Sequence, residues 1–186
     1  MVLNQMNMLD RLFALIILIF LLPIFLFVSV AIIIEDGFQY LFTQKRIGIN
    51  YSFFKIYKFR SMKKNKPNVA THLLTDPDQY LLKIGKFIRK TSFDKLPNLI
   101  NIIKGEMIFV GPRPALYNQD DLIALRIASG VDKLKPGITG WAQINGRDNF
   151  SIEKKVQLEH DYMNKKSTLF DIEIILKTFN NVLNSK

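Results

Sequence analysis

The chain has no cysteine, one tryptophan and two histidines among its 186 residues. Without thiols there is no disulfide framework and no thiolate metal centre, and the composition is compatible with a reducing compartment. The histidines are far apart, His72 in a polar stretch and His160 in a helical one, so each reads as a surface residue rather than a ligand. No glycine-rich run matches a P-loop or a dinucleotide fingerprint, which argues against a P-loop NTPase or a Rossmann enzyme. Internal repeats and low-complexity segments are lacking as well. Acidic residues are outnumbered, with 16 Asp and Glu against 26 Lys and Arg, a formal charge of +10. Such an excess suits nucleic acid, an anionic membrane face or phosphorylated substrates, and context has to choose. The length supports one domain with a short appendage.

The context comes from residues 12–34, which carry no charge and a single hydroxyl, Ser29. A helix of that length covers a ~30 Å hydrocarbon core. The run is too long for a signal peptide, and no small-residue cleavage site follows it. Pro23 falls in its middle, where it removes a backbone hydrogen bond and bends the helix. A straight span would put residues 1–11 across the membrane. A bent helix would enter and leave the same leaflet. Nearly all Lys and Arg follow the run, so the globular part is expected on the cytoplasmic side in either topology. The basic excess then reads as contacts to anionic lipid and phosphates rather than to nucleic acid.

The densest stretch runs from residue 89 to 114, RKTSFDKLPNLINIIKGEMIFVGPRP. Thr91 or Ser92 is a candidate helix cap, with Asp94 in or beside the first turn and Pro97 in an early-helix position. Leu96, Leu99, Ile100, Ile102 and Ile103 make an apolar run that Gly105 stops. Residues 107–110 read as a short buried strand leading into Gly111-Pro112-Arg113-Pro114. A carboxylate at a helix start beside an arginine-bearing rigid turn suits anion binding next to a potential nucleophile. Taken alone, an Asp in that position is more commonly a helix cap.

Around this stretch, residues 38–46 and 52–62 read as a β-hairpin with a Gly/Asn turn. Phe54 and Ile56 share one face of its second arm, with Lys58 and Arg60 further along the same face. The segment 80–90, YLLKIGKFIRK, fits an interfacial helix, or equally a core-facing helix with a basic outer face. Residues 63–77 read as a loop and 120–129 as a helix ended by Gly130. Residues 135–147, KPGITGWAQINGR, read as a glycine-rich loop passing close to something, with Asn145-Gly146 turning to present Arg147. Residues 151–165 and 168–184 read as amphipathic helices. Thr168 is the expected cap of the second, and Leu169, Ile172, Ile175, Leu176, Phe179 and Leu183 form its apolar face.

In this order, the apolar helix with Pro23, FTQKRIG, FKIYKFRSM, RKTSFDKLPNLINIIKGEM, VGPRP and KPGITGWAQINGR resemble the bacterial sugar transferase family, the monotopic polyprenyl-phosphate phosphoglycosyl transferases. The resemblance covers nearly the whole chain. It implies an α+β protein with a re-entrant membrane helix bent at Pro23 in residues 1–36. A small, mainly helical cytoplasmic catalytic domain with a short hairpin and interfacial helices follows in residues 37–186. It also implies transfer of a phospho-sugar from a nucleoside diphosphate sugar, usually a UDP-sugar, to polyprenyl phosphate. That reaction belongs at the bacterial cytoplasmic membrane, and downstream glycosyltransferases would follow it. Asp94 aligns with the family nucleophile and the Mg2+ site. Arg113 and Pro112 match the phosphate-binding turn, Arg147 the nucleotide side, and Arg89 and Asp171 further polar positions; Lys58 and Arg60 are supporting candidates.

The chain departs from the family at two points. Lys95 stands where the family has Glu, and Leu22 where many members have Ser. Lys95 leaves three readings: it supplies part of the metal's charge, Glu106 or Asp171 completes the site, or the chain is an impaired paralogue that binds sugar nucleotide or partner transferases.

Overall fold

The computed structural model describes residues 2–65, 76–146 and 150–184; His72 lies outside them. Helix α1 (Val2–Phe20) breaks at Leu21, and α2 (Leu22–Asp36) starts on Pro23. The two axes meet at 64°. Proline has no amide hydrogen to continue α1, but in the first turn of a new helix that amide is not needed. Gly37, at φ 82°, ends α2. The lone hydroxyl of this region, Ser29, donates to the Phe25 carbonyl at 2.8 Å, so that group is not left unpaired. Among the described residues, neither helix alone is long and apolar enough to cross a membrane; the bent pair together matches such a span in length and composition. Phe20, Phe27 and Ile34 on this pair are largely exposed.

The pair is not detached from the rest. Ala14 of α1 packs with Phe54, Ile56, Leu99, Ile102 and Met107. Val28 and Ile32 of α2 pack with Phe59, Leu82 and Ile88. Each fully buried aliphatic side chain of this kind is worth about 2 kcal/mol.

The expected hairpin forms from β1 (Leu41–Ile47) and β2 (Phe53–Phe59), antiparallel, with Phe42 opposite Lys58, Gln44 opposite Ile56 and Arg46 opposite Phe54. Paired residues point to the same side of a sheet, so Lys58 and Arg46 share a face with the buried Phe54 and Ile56. The turn uses Asn50 and Tyr51 at positive φ.

Helix α3 (Lys83–Lys90) follows, with Ile88 buried and Phe87 about half exposed. Neither Thr91 nor Ser92 caps the start of a helix with its side chain; Thr91 instead closes the end of α3. The Thr91 hydroxyl donates back to the Phe87 carbonyl at 2.9 Å, and Ser92 sits in the left-handed region at φ 61°. A 3-10 turn, Phe93–Lys95, then carries Asp94, and α4 (Asn98–Lys104) starts only after Pro97. Gly105 ends α4 as expected, at φ 80°.

Strand β3 (Ile108–Val110) runs parallel to β4 (Gly137–Thr139). The segment 135–147 is therefore not a loop: it holds β4 and helix α6 (Trp141–Gly146). Its glycines do serve a close approach. A Cβ on Gly137 or on Gly140 would collide with the backbone of Gly111, so the two chain segments touch where a side chain would part them. Helix α5 (Asp120–Ala128) packs on α7 (Ile152–Lys165), whose cap Ser151 accepts from the Lys154 amide at 3.3 Å.

Helix α8 (Thr168–Asn184) forms over the expected residues but differs in two details. Its first turn is capped by Ser167, which accepts from the Phe170 amide at 3.2 Å, rather than by Thr168. Of the expected apolar stripe, Leu169, Ile172, Leu176, Phe179 and Leu183 are exposed, while Ile175 packs inward beside Ile174, which is buried with Val110 and Tyr162.

Candidate functional site

The site is assembled where three backbone reversals meet. The first is the 3-10 turn of Asp94. Phe93 and Leu96 pack inward onto the cluster of α2 and α3, and Phe93 meets Phe87 edge-on at 6.1 Å. With its neighbours anchored, the Asp94–Lys95 pair sits against β2. The Asp94 side chain is only 16% exposed, and the Lys95 ammonium lies 3.5 Å from its Oδ1. Lys95 is 38% exposed. Half-solvated pairs of this sort are worth under about 1 kcal/mol, so Lys95 is free to move to another anion.

The second contribution is the hairpin face. Burial pushes the Lys58 pKa down to about 8, with Arg46, Arg113 and Lys95 adding to the effect and Asp94 opposing it. Arg46 is lowered to about 10, first by burial and then by Arg113. The Arg46 guanidinium donates from Nη1 to the Pro114 carbonyl at 3.0 Å and from Nη2 to Gln44 at 2.7 Å. Its buried Nε has no partner among the described residues. Among the charges that act on Lys58, Asp94 is the only acid.

The third is the turn 111–114. The Gly111 amide donates to Thr139, the Pro112 carbonyl accepts from Gly137, and the Ala115 carbonyl accepts from Ile47. The Arg113 carbonyl accepts from Arg126 Nη2 at 2.9 Å, and Arg126 is itself paired with Glu159 through Nε at 2.8 Å. Both members of that pair are buried. The carbonyls of Pro112, Arg113 and Pro114 and the Gly111 amide are thus held, and the exposed Arg113 side chain projects from a fixed base.

Five candidates from the sequence therefore converge: Asp94, Lys95, Lys58, Arg113 and, through its backbone, Pro112. Others stand apart. Arg60 is buried and pairs with Asp36 of α2 at 2.7 Å, tying the helix pair to the hairpin. Arg89, at the end of α3, donates to Ser61 at 2.9 Å. Asp171 accepts from Tyr162 at 2.7 Å, with the Val110 carbonyl a second acceptor for the same hydroxyl at 3.0 Å. One hydroxyl proton cannot serve both. Burial pushes the Asp171 carboxyl up, and a protonated Asp171 would supply the second hydrogen bond. Glu106 is engaged by Asn101 at 2.7 Å. Among the described residues no three His, Cys, Asp or Glu side chains converge on a metal-sized site. Arg147 lies outside the described residues. His160 lies on α7 with its Nδ1 3.2 Å from the Asn164 amide.

Arg46, Arg126 and Glu159 were not singled out in the sequence. Arg46 had a signal: it falls in the FTQKRIG motif, at the alternation that puts it beside Lys58. Arg126 and Glu159 had none, since each lies in an ordinary amphipathic helix and they meet only in the fold.

A mostly buried carboxylate paired with Lys95 and acting on Lys58, in a cluster of cations that also holds Arg46 and Arg113 beside a fixed turn, suits a polyanion. The chain matches the bacterial sugar transferase family over residues 3–185 and belongs to it. It is 40% identical over 183 residues to the uncharacterized sugar transferase EpsL of Bacillus subtilis, covering 96% of this chain and 89% of that one. It is 37% identical to the exopolysaccharide production protein ExoY of Sinorhizobium fredii, covering 91% and 81%. Against the UDP-glucose:undecaprenyl-phosphate glucose-1-phosphate transferase of Escherichia coli it is 35% identical over 91% of this chain but only 38% of the relative.

Proposed function

We propose that the chain transfers a phospho-sugar from a UDP-sugar to polyprenyl phosphate at the cytoplasmic face of the bacterial membrane. The bent α1–α2 pair acts as a re-entrant anchor. The observation that carries this reading is the Asp94 carboxylate, paired with Lys95 and close enough to Lys58 to act on it, with Arg46 and Arg113 acting on the same lysine. A diphosphate brings at least two negative charges, and a site already lined with cations offsets them without reorganisation.

In the first displacement an Asp94 oxygen attacks the sugar-bearing phosphorus and the bond to UMP breaks. UMP leaves with the bond electrons, and Asp94 becomes an acyl phosphate. In the second, an oxygen of polyprenyl phosphate attacks the same phosphorus and the Asp94 carboxylate is released. Charge balances in both steps, so no proton transfer is required. Arg113, on its fixed turn, orients the diphosphate; Arg46 and Lys58 hold the oxygens that gain charge. Mg2+ commonly binds through one carboxylate plus phosphate oxygens and water, so Asp94 with the substrate diphosphate is the set that would hold it, adding further charge neutralisation.

The test is incubation with a panel of UDP-sugars without acceptor. One equivalent of UMP and a phospho-sugar adduct on the Asp94 peptide by mass spectrometry are expected. Tight sugar-nucleotide binding with neither UMP nor adduct would instead identify an impaired paralogue, a reading motivated by Lys95.

A further inference from the structure

An open cleft of about 1200 Å3 lies between α1 and α8, above β3 and β4. Phe13 and Ile17 of α1, Ile138 of β4, and Ile172 and Phe179 of α8 line it. Phe13 is 57% exposed and Phe179 65%, so the cleft presents bulky apolar side chains with nothing against them. Leaving that much apolar surface uncovered is costly, and an apolar guest is the remedy. The lining is not purely apolar, however. Lys95 belongs to it, and so do Lys133, Lys135 and Lys166, with Asp10 and Asp171 the acids on the facing walls. Four cations against two acids favour a guest with an anionic head.

Lys95 is the link to chemistry. It lines the cleft and also pairs with Asp94 at 3.5 Å. An anion at that end of the cleft is met by the same ammonium that stands beside the nucleophile. The guest that satisfies both demands is a long hydrocarbon chain ending in phosphate.

We propose that this cleft receives the first isoprene units of the polyprenyl phosphate acceptor and that Lys95 holds its phosphate beside Asp94. The proposal rests on the transfer reaction above and adds a site for the acceptor. It also gives Lys95 a positive role: where a carboxylate at this position would repel the incoming phosphate, an ammonium draws it in.

The test separates donor from acceptor chemistry. Phe179→Glu and Ile172→Glu place a charge on cleft residues that are exposed enough for folding to survive. Leu169→Glu, on the outward stripe of α8 but not in the cleft, controls for general loss of membrane contact. The UMP burst in the absence of acceptor measures folded, donor-competent enzyme. With that burst as the reference, both cleft variants are expected to raise KM for undecaprenyl phosphate at least tenfold, and Leu169→Glu less than twofold. A diazirine-bearing polyprenyl phosphate is expected to label peptides of α1 and α8, and excess undecaprenyl phosphate to protect them. Equal effects at all three positions, labelling confined to other segments, or equal protection by phosphatidylglycerol would overturn the proposal, the last by marking the cleft as a general lipid seat. If the wild-type chain gives no burst, the transfer reading falls, and cleft labelling alone decides whether the groove binds the prenyl chain.

Discussion

Asp94 is poised by what surrounds it rather than by a helix end. Its turn has left-handed Ser92 on one side and Pro97 on the other, and its carboxylate pairs with Lys95 and acts on Lys58 of β2. Asp94→Asn removes the carboxylate proposed to attack while keeping the side chain's size. A fall in kcat by at least about a thousandfold is expected, with sugar-nucleotide binding kept within a few fold by calorimetry. Lys58 gives the site a pH limit. Its pKa in the fold is about 8, so the ammonium is lost as pH rises through that value and the diphosphate loses one counter-charge. kcat/KM should break downward near pH 8, and Lys58→Arg should move the break upward. Stability should run the other way: the unfolded lysine titrates near 10.4, so it binds more protons than the fold between about pH 8 and 10, and unfolding becomes harder across that window. Most of these residues were legible in the sequence as motif members. Their convergence was not, because the alternation of a strand fixes which face a residue shares but not what packs on that face. Arg60 illustrates this: it follows Lys58 on the same face, yet the strand ends between them and Arg60 turns to Asp36.

Among the elements, the turn 111–114 depends on a buried pair of residues in α5 and α7. Glu159→Gln leaves the Arg126 charge buried without its counter-ion, a change that costs about 3–5 kcal/mol. A matching loss in chemical denaturation is expected, and in the surviving folded enzyme a raised KM for the sugar nucleotide as Arg113 loses its fixed base. Replacing both members by a Met and a Leu should recover stability but not KM, since the Arg113 carbonyl loses its donor either way. The joint at Leu21–Pro23 invites a different measurement. Pro23→Ala lets α1 continue into α2, and a straight rod of that length is able to span the bilayer. A cysteine placed near residue 4 should then become accessible from outside, while in the parent sequence it stays on the inner side. Helices α7 and α8 were legible from their periodicity. The side that α8 buries was not, because an apolar stripe signals that something covers it and not whether that is protein or lipid.

Across the whole molecule, the sequence marked the order of elements well and misread the segment 135–147. Its glycines argued for a loop, whereas they are there so that two backbones can meet: β4 and the start of α6 lie against Gly111, a contact between distant segments that local composition cannot report. The short 3-10 turn at Asp94 was hidden for a related reason, since Thr, Ser, Asp and Pro make the same signature for a capped helix and for a tight reversal.

One consequence follows from Ala14. Its methyl group is wedged among Leu99, Ile102 and Met107, directly behind the segment that carries Asp94, so α1 doubles as a wall of the protein's interior. Deleting residues 1–36 to obtain a water-soluble fragment should yield aggregate rather than enzyme, as size-exclusion chromatography of such a truncation would reveal. For a protein built this way, the route to a homogeneous sample is a detergent micelle or nanodisc around the intact chain.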